Sequence, residues 1–247
     1  MNYRLTVSYD GTRYLGWQKL GEPGSRDYGR TIQGKLEAIL TGMTGAPVEV
    51  IGSGRTDAGV HALGQVANFH TDYKACPEDV QAYLNRYLPE DIAVTEVREV
   101  PERFHARYNA RAKTYRYCIR NSAVPDVFSH QYEYHITEPL DIDKMRRCAA
   151  LLCGLHDYKS FTKRTKKSTV RTVYSIHIVQ ESERLEVLFR GDGFLYNMVR
   201  ILMGTLLECG LGQRDPERVP ELFEGEDRRP AGYTVPAMGL TLMHVEY

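Results

Sequence analysis

Residues 52–62, GSGRTDAGVHA, set one carboxylate, Asp57, and one guanidinium, Arg55, two positions apart among Gly52, Gly54 and Gly59. Glycine permits backbone conformations closed to other residues and lets a ligand approach the chain closely. A carboxylate displayed on such a loop can serve as nucleophile or base. A phosphate cradle is one alternative, but the Gly-Lys-Ser/Thr ending of a P-loop is missing and no helix pattern follows. A structural turn in which Asp57 bonds its own backbone is the other. Arg200 is also out of place, because it interrupts the otherwise apolar stretch NMVRILMGTLL. An uncompensated charge there is costly, so an anion is expected beside it. Tyr115 alternates with polar partners alongside Tyr117 and Ile119, so by pattern alone core packing competes with any chemical role.

The elements that must position these residues are legible as patterns. Tyr3, Leu5, Val7 and Tyr9 alternate with polar residues, the period of a half-buried strand, and Asp10-Gly11-Thr12 then turns. Residues 19–30, KLGEPGSRDYGR, read as an exposed loop. Thr31 is a helix cap ahead of Ile32, Leu36, Ile39, Leu40 and Met43, which recur at helical spacing. A short strand at 48–51 precedes the glycine-rich segment 52–64, and a strand at 65–71 follows it. Pro77 suits the first turn of a second helix, and 92–100 is a further strand. The pattern then restarts, with strands at 113–120, 172–179 and 184–190 and a helix capped by Asp141. A helix at 195–209 is expected to end at Gly210, Asp215-Pro216 to start a short one, and 240–246 to form the last strand. Strands separated by helices, with hairpins between, indicate an α+β protein with a mainly antiparallel sheet and helices on one face. Two related halves are expected, 1–104 and 105–247, with the active-site cleft between them.

Composition narrows the class. The 247 residues carry 32 Lys+Arg against 32 Asp+Glu, with 42% hydrophobic and 26% charged residues, a profile of globular rather than disordered chains. No apolar run is long enough for a membrane span, and the N-terminus lacks the basic-then-apolar order of a secretory signal. Five scattered cysteines without a Cys-x-x-Cys pair suit reduced thiols, which places the chain in the cytoplasm as an expectation. Zero net charge hides an uneven distribution. Residues 103–120 and 159–171 each hold six Lys/Arg and no acid, interleaved with aromatics or histidine, whereas 78–102 and 208–227 each hold seven acids. Separated patches of this kind are compatible with a polyanionic partner. The eight histidines show no metal-ligand spacing, so no metal is expected.

The segment GRTDAGVHALGQVANF closely resembles the signature of the TruA family of tRNA pseudouridine synthases, and further matches run nearly end to end. They include SYDGTRYLGWQ at 8–18, TIQGKLEAIL at 31–40, LNRYLPEDIAV at 84–94 and FHARYNARAKTYRY at 104–117. HDYKSF at 156–161, KKSTVRTV at 166–173, GDGFLYNMVRILMGTLLECG at 191–210 and PAMGLTL at 236–242 complete the order. The segment between Trp17 and Thr31 is longer and more charged than is usual in the family, and the basic stretch after HDYKSF is compressed.

The resemblance implies two ferredoxin-like halves and the conversion of uridine to pseudouridine in the anticodon stem-loop of tRNA, at positions 38, 39 and 40. Asp57 would be the catalytic carboxylate, Tyr115 would stack on the flipped uracil and assist proton movement, and Arg200 would hold Asp57 charged and aimed. Arg55 would help displace the base. The carboxylate can attack the anomeric carbon, take a ribose proton or add to the ring, and sequence leaves these routes open. The reaction has no redox or phosphoryl step, so no cofactor is expected. A homodimer is implied, with Lys163, Arg164, Lys166 and Lys167 gripping RNA. The same reaction on another structured RNA, or a non-catalytic RNA-binding protein of this fold, are the alternatives.

Overall fold

The computed structural model describes residues 1–163, 168–224 and 231–247. In chain order the elements are β1 (Asn2–Tyr9), α1 (Ile32–Thr44), β2 (Val50–Gly52), β3 (His61–His70), α2 (Pro77–Tyr87), β4 (Ile92–Val100), β5 (Ala112–Asn121), β6 (Tyr134–Ile136), α3 (Ile142–Leu152), β7 (Gly154–Asp157), β8 (Val170–Glu181), β9 (Arg184–Gly191), α4 (Met198–Gly210) and β10 (Leu240–Glu246). This is an α+β chain whose strands are mostly antiparallel. It divides into two compact units, Met1–Arg111 with Leu242–Tyr247, and Ala112–Thr241.

In the first unit β1 is flanked by antiparallel β3 and β4, and β2 pairs with β3. The period-2 alternation of β1 puts Tyr3, Leu5, Val7 and Tyr9 in the core. Ile32, Leu36 and Leu40 of α1 are wholly buried, each stabilising the fold by about 1.5–3 kcal/mol of side-chain burial. Thr31 caps α1 as expected, its hydroxyl accepting from the Gly34 amide. Asn85 of α2 brackets Val94 of β4, donating to its carbonyl and accepting from its amide, both at 2.8 Å. β3 starts at His61, inside the segment read as glycine-rich loop, because Ala62 already pairs with Tyr9 across a register shift in β1.

In the second unit β9 lies between β5 and β8, β7 extends β8, all antiparallel, and β6 pairs in parallel with the end of β5. Tyr117 and Ile119 of β5 and Leu185, Val187 and Phe189 of β9 are buried together with Met145, Cys148 and Leu152 of α3. Asp141 caps α3 through the Lys144 amide. Nearly every residue of α4 is buried, and Gly204 forms a notch in it, where a Cβ would sit 1.9 Å from the Tyr233 carbonyl. One expectation about α4 is corrected. It begins at Met198 rather than at 195, because Asn197 holds a left-handed backbone (φ 60°) that no helix continues through. The helix ends at Gly210 as expected, where a Cβ would meet the Met145 side chain at 2.8 Å, while the left-handed glycine beyond it is Gly212 (φ 72°).

Candidate active site

Within the first unit the 53–60 loop is fixed by β3, by Tyr9 of β1 and by Trp17. The Ser53 amide donates to the Val66 carbonyl at 2.7 Å, the Ser53 hydroxyl donates to Gln65 Oε1 at 2.7 Å, and Gln65 Nε2 donates to the Gly54 carbonyl at 3.1 Å. Thr56 is held twice, its carbonyl by the Trp17 amide at 3.0 Å and its hydroxyl by the Tyr9 phenol at 2.8 Å. Burial pushes the Tyr9 phenol well above its ordinary pKa, so it remains a neutral hydrogen-bonding group. The Asp57 carbonyl accepts from the Val60 amide at 3.1 Å, and Gly59 at the third turn position has φ 78°. That is a type II turn, which explains the glycine, and Asp57 opens it with its backbone while its side chain is half-buried. Arg55 is exposed.

The segment after β1 presses on this turn at two glycines. A Cβ at Gly11 would lie 2.0 Å from the Val60 carbonyl oxygen, and one at Gly16 (φ 99°) would lie 2.6 Å from that of Thr56. His61 Nδ1 lies 3.1 Å from both the Gly11 amide and Asp10 Oδ1. The amide can only donate, so Nδ1 is an acceptor there and the contact with Asp10 is no hydrogen bond in that tautomer. His61 is thus a packed, turn-holding residue at the start of β3.

In the second unit Tyr115 sits on β5 opposite Phe189, 7% exposed, with the Phe194 ring edge-on at 5.4 Å. Arg200 lies in the first turn of α4, the end at which a helix dipole disfavours a cation. Protein acceptors hold it there: Nε donates to the Val235 carbonyl at 2.7 Å and one terminal nitrogen donates to Asn197 Oδ1 at 3.1 Å. Guanidinium and helix N-terminus together make this corner strongly favourable for an anion. Beside it the buried Tyr117 phenol donates to the Pro236 carbonyl at 2.8 Å, and burial raises its pKa far above the usual value despite the opposing charge of Arg200.

The expected RNA-gripping residues fare differently. Lys163 is exposed, one residue beyond Thr162, whose hydroxyl donates to the Tyr196 carbonyl at 3.0 Å. Arg164, Lys166 and Lys167 lie outside the described residues. The 103–120 stretch is not one basic surface. Arg116 pairs with Glu186 at 3.4 Å, and Arg120 pairs with Asp126 at 3.2 Å and Glu133 at 3.1 Å, because strand pairing and a returning loop bring acids from far along the chain. Arg103, Arg107 and Arg111 stay exposed, with Tyr108 79% exposed among them and its ring tilted against His105 at 4.2 Å. Sequence reasoning missed Asn197, Gln65 and the Tyr9–Thr56 bond. Only the proximity of Asn197 to Arg200 in the chain gave a signal. Among the described residues no group of three or more His, Cys, Asp or Glu is arranged to hold a metal, and no helix is long and apolar enough to cross a membrane.

A family model described as tRNA pseudouridine synthase matches residues 5–109 and 148–247. A tRNA pseudouridine synthase A of Bacillus sp. (strain KSM-64) is 48% identical over 248 residues, covering 100% of this chain and 99% of the relative. A tRNA pseudouridine synthase A 2 of Bacillus cereus is 46% identical with the same coverage. The tRNA pseudouridine synthase A of Acetivibrio thermocellus is 43% identical over 249 residues, again across 100% and 99% of the two chains. Among solved structures, a Cbf5-Nop10-Gar1 complex covers 83% of this chain and 54% of its own at 12% identity, with a TM-score of 0.34, too distant to carry an argument. Identity at this level along the whole length places the chain in the TruA family of tRNA pseudouridine synthases.

Proposed function

We propose that this chain isomerises uridine to pseudouridine in the anticodon stem-loop of tRNA, with Asp57 as the catalytic carboxylate. The observation that carries the reading is the Asp57 turn, built around Gly59 and clamped by Trp17, Tyr9 and Gln65, in a chain of this family. A reacting uridine must leave the stack, because its base is covered in a helix. Asp57 then attacks the ribose, takes a ribose proton or adds to the ring; the bond from ribose to ring nitrogen 1 breaks, the uracil turns, a bond forms to ring carbon 5, and that carbon loses its proton while nitrogen 1 gains one. Tyr115 stacks on the displaced uracil, Arg55 helps to displace it, and Arg200 supplies the positive charge that keeps the carboxylate ionised and aimed. The chemistry needs no cofactor.

The finer architecture belongs to the same proposal. Each half, 1–104 and 105–247, is a ferredoxin-like unit, and the protein works as a cytoplasmic homodimer. Lys163, Arg164, Lys166 and Lys167, with the exposed arginines of 103–111, bind the phosphate backbone. The test is tritium release from tRNA labelled at ring carbon 5 of uridine. Asp57→Ala and Asp57→Asn are expected to abolish release while RNA binding and the folded circular-dichroism spectrum persist. Substantial release by Asp57→Ala would sink the assignment.

A further inference from the structure

Helix α1 buries a carboxylate that the reaction does not use. Glu37 is 2% exposed, and a charge so placed is stable only when its oxygens are fully engaged. Its two oxygens face different parts of the unit. Oε1 accepts from Gln33 Nε2 at 2.8 Å and from the Val50 amide at 3.0 Å, which ties α1 to the start of β2. Oε2 accepts from the Tyr28 hydroxyl at 2.9 Å and from Lys19 Nζ at 3.0 Å, and Lys19 Nζ also reaches Oε1, more distantly, at 3.4 Å. Lys19 and Tyr28 stand near the two ends of the 19–30 loop. Oε1 makes both scaffold bonds, and the shorter bonds to the loop fall on Oε2.

The loop also has a defined neck. Leu15 donates to the Arg30 carbonyl at 2.9 Å, Gln33 to the Trp17 carbonyl at 3.0 Å, and the Lys19 amide to Gln33 Oε1 at 3.0 Å. The neck residues are those that press on the Asp57 turn, through Gly16 and through the Trp17 amide on the Thr56 carbonyl. The loop therefore springs from the rim of that turn. Burial and the Glu37 hydrogen bond push the Tyr28 phenol up to about 12, so it stays a donor throughout the neutral range.

We propose that Glu37 is a positioning residue: it holds residues 19–30 as a preset arm beside the Asp57 turn, and this arm contacts the RNA and sets how tightly it is bound. The RNA half of the proposal rests on the tRNA reading above; the latch does not.

Glu37→Gln separates the two roles. With its carbonyl in the place of Oε1 the amide still accepts from Val50 and Gln33, whereas an NH2 in the place of Oε2 offers Lys19 no acceptor there and can only donate to the Tyr28 hydroxyl. Lys19→Met and Tyr28→Phe break only the arm side and leave the scaffold bonds intact. Two readouts are taken on the full chain. Trypsin cleavage after Arg26 requires the arm to open locally and is expected to quicken about tenfold in Glu37→Gln, as for loss of one charge-assisted hydrogen bond, with smaller increases in the other two variants. Tritium-release kinetics on full-length tRNA should show KM raised about tenfold with kcat changed less than about threefold. Adding Lys19→Met to Glu37→Gln should raise neither further, since both break the same charged contact. Cleavage and KM both unchanged in Glu37→Gln would overturn the proposal, as would a fall in kcat at constant KM, which places the effect on the Asp57 turn through Val50. If the unsubstituted chain releases no tritium, the reaction assigned above fails and the RNA half with it, while the trypsin rates still decide the latch.

Discussion

Asn197 and Arg200 are bound to each other across the first turn of α4, the amide oxygen of one accepting from the guanidinium of the other at 3.1 Å. Asn197 makes that bond from a left-handed backbone, a conformation that disfavours side chains with a Cβ and that asparagine tolerates better than most. A bond maintained across a strained position points to a side chain required for where it puts its partner. Asn197→Gly and Asn197→Ala both remove the bond, and both are expected to lower kcat about tenfold, the effect of one charge-assisted hydrogen bond. They should differ in stability, with alanine less stable than glycine by about 1 kcal/mol in urea unfolding, since only alanine is strained at this φ. Equal stabilities would remove the strain argument.

Arg200→Met should cost at least about a hundredfold in turnover, the scale for loss of a group that stabilises charge in a reacting site. It should also shift the acid limb of the pH–rate profile to higher pH, because a carboxylate deprived of a nearby cation holds its proton more tightly. An unmoved acid limb would separate Arg200 from Asp57.

Tyr115→Phe keeps the ring and its edge-on packing on Phe194 and removes only the hydroxyl. RNA affinity should be retained. Turnover should fall by about a hundredfold or more if the hydroxyl moves protons, and near-normal turnover would confine the residue to stacking.

Replacing Lys163, Arg164, Lys166 and Lys167 with alanine should weaken tRNA binding and flatten the dependence of log affinity on log salt, by up to about 0.9 for each phosphate no longer neutralised. Normal binding of full-length tRNA by this variant at moderate salt would refute the grip. Sedimentation at working concentrations tests the dimer, and a monomer would refute that part.

Asp141 accepts the Lys144 amide at the head of α3, and this bond holds its carboxyl below the usual value of 3.8. A folded-state pKa below the unfolded one contributes stability that is present above about pH 4 and is lost as pH falls through the folded value. Asp141→Ala should therefore be less stable than the parent at pH 7, with the gap narrowing steadily below about pH 4. A gap independent of pH would mean that the cap acts without its charge.

What sequence reveals here follows the range of the interactions concerned. Thr31 and Asp141 are legible as caps because a cap is settled within four residues, and β1 is legible because its alternation is its own. Asp57 stands out because glycines surround it. The pairing of Arg116 and Arg120 with Glu186, Asp126 and Glu133 depends on strand register and a returning loop, so local charge suggests a free basic face where the fold builds ion pairs. The early start of β3 likewise depends on Tyr9, more than fifty residues away. The onset of α4 is hidden for a different reason: apolar periodicity continues back through Leu195 and carries no mark of a left-handed residue at 197.

Trp17 is the single tryptophan among 17 tyrosines, so light absorbed at the red edge of the aromatic band excites it alone. It is 2% exposed, its indole lies where a Cβ on Gly52 would intrude at 2.5 Å, and its amide holds the residue before Asp57. The chain thus carries a native fluorophore on the frame of the Asp57 turn, with the Tyr9 ring 6.2 Å away. Its emission maximum and lifetime report how that turn settles when an RNA arrives, in the unlabelled enzyme and on the timescale of a stopped-flow mixing experiment.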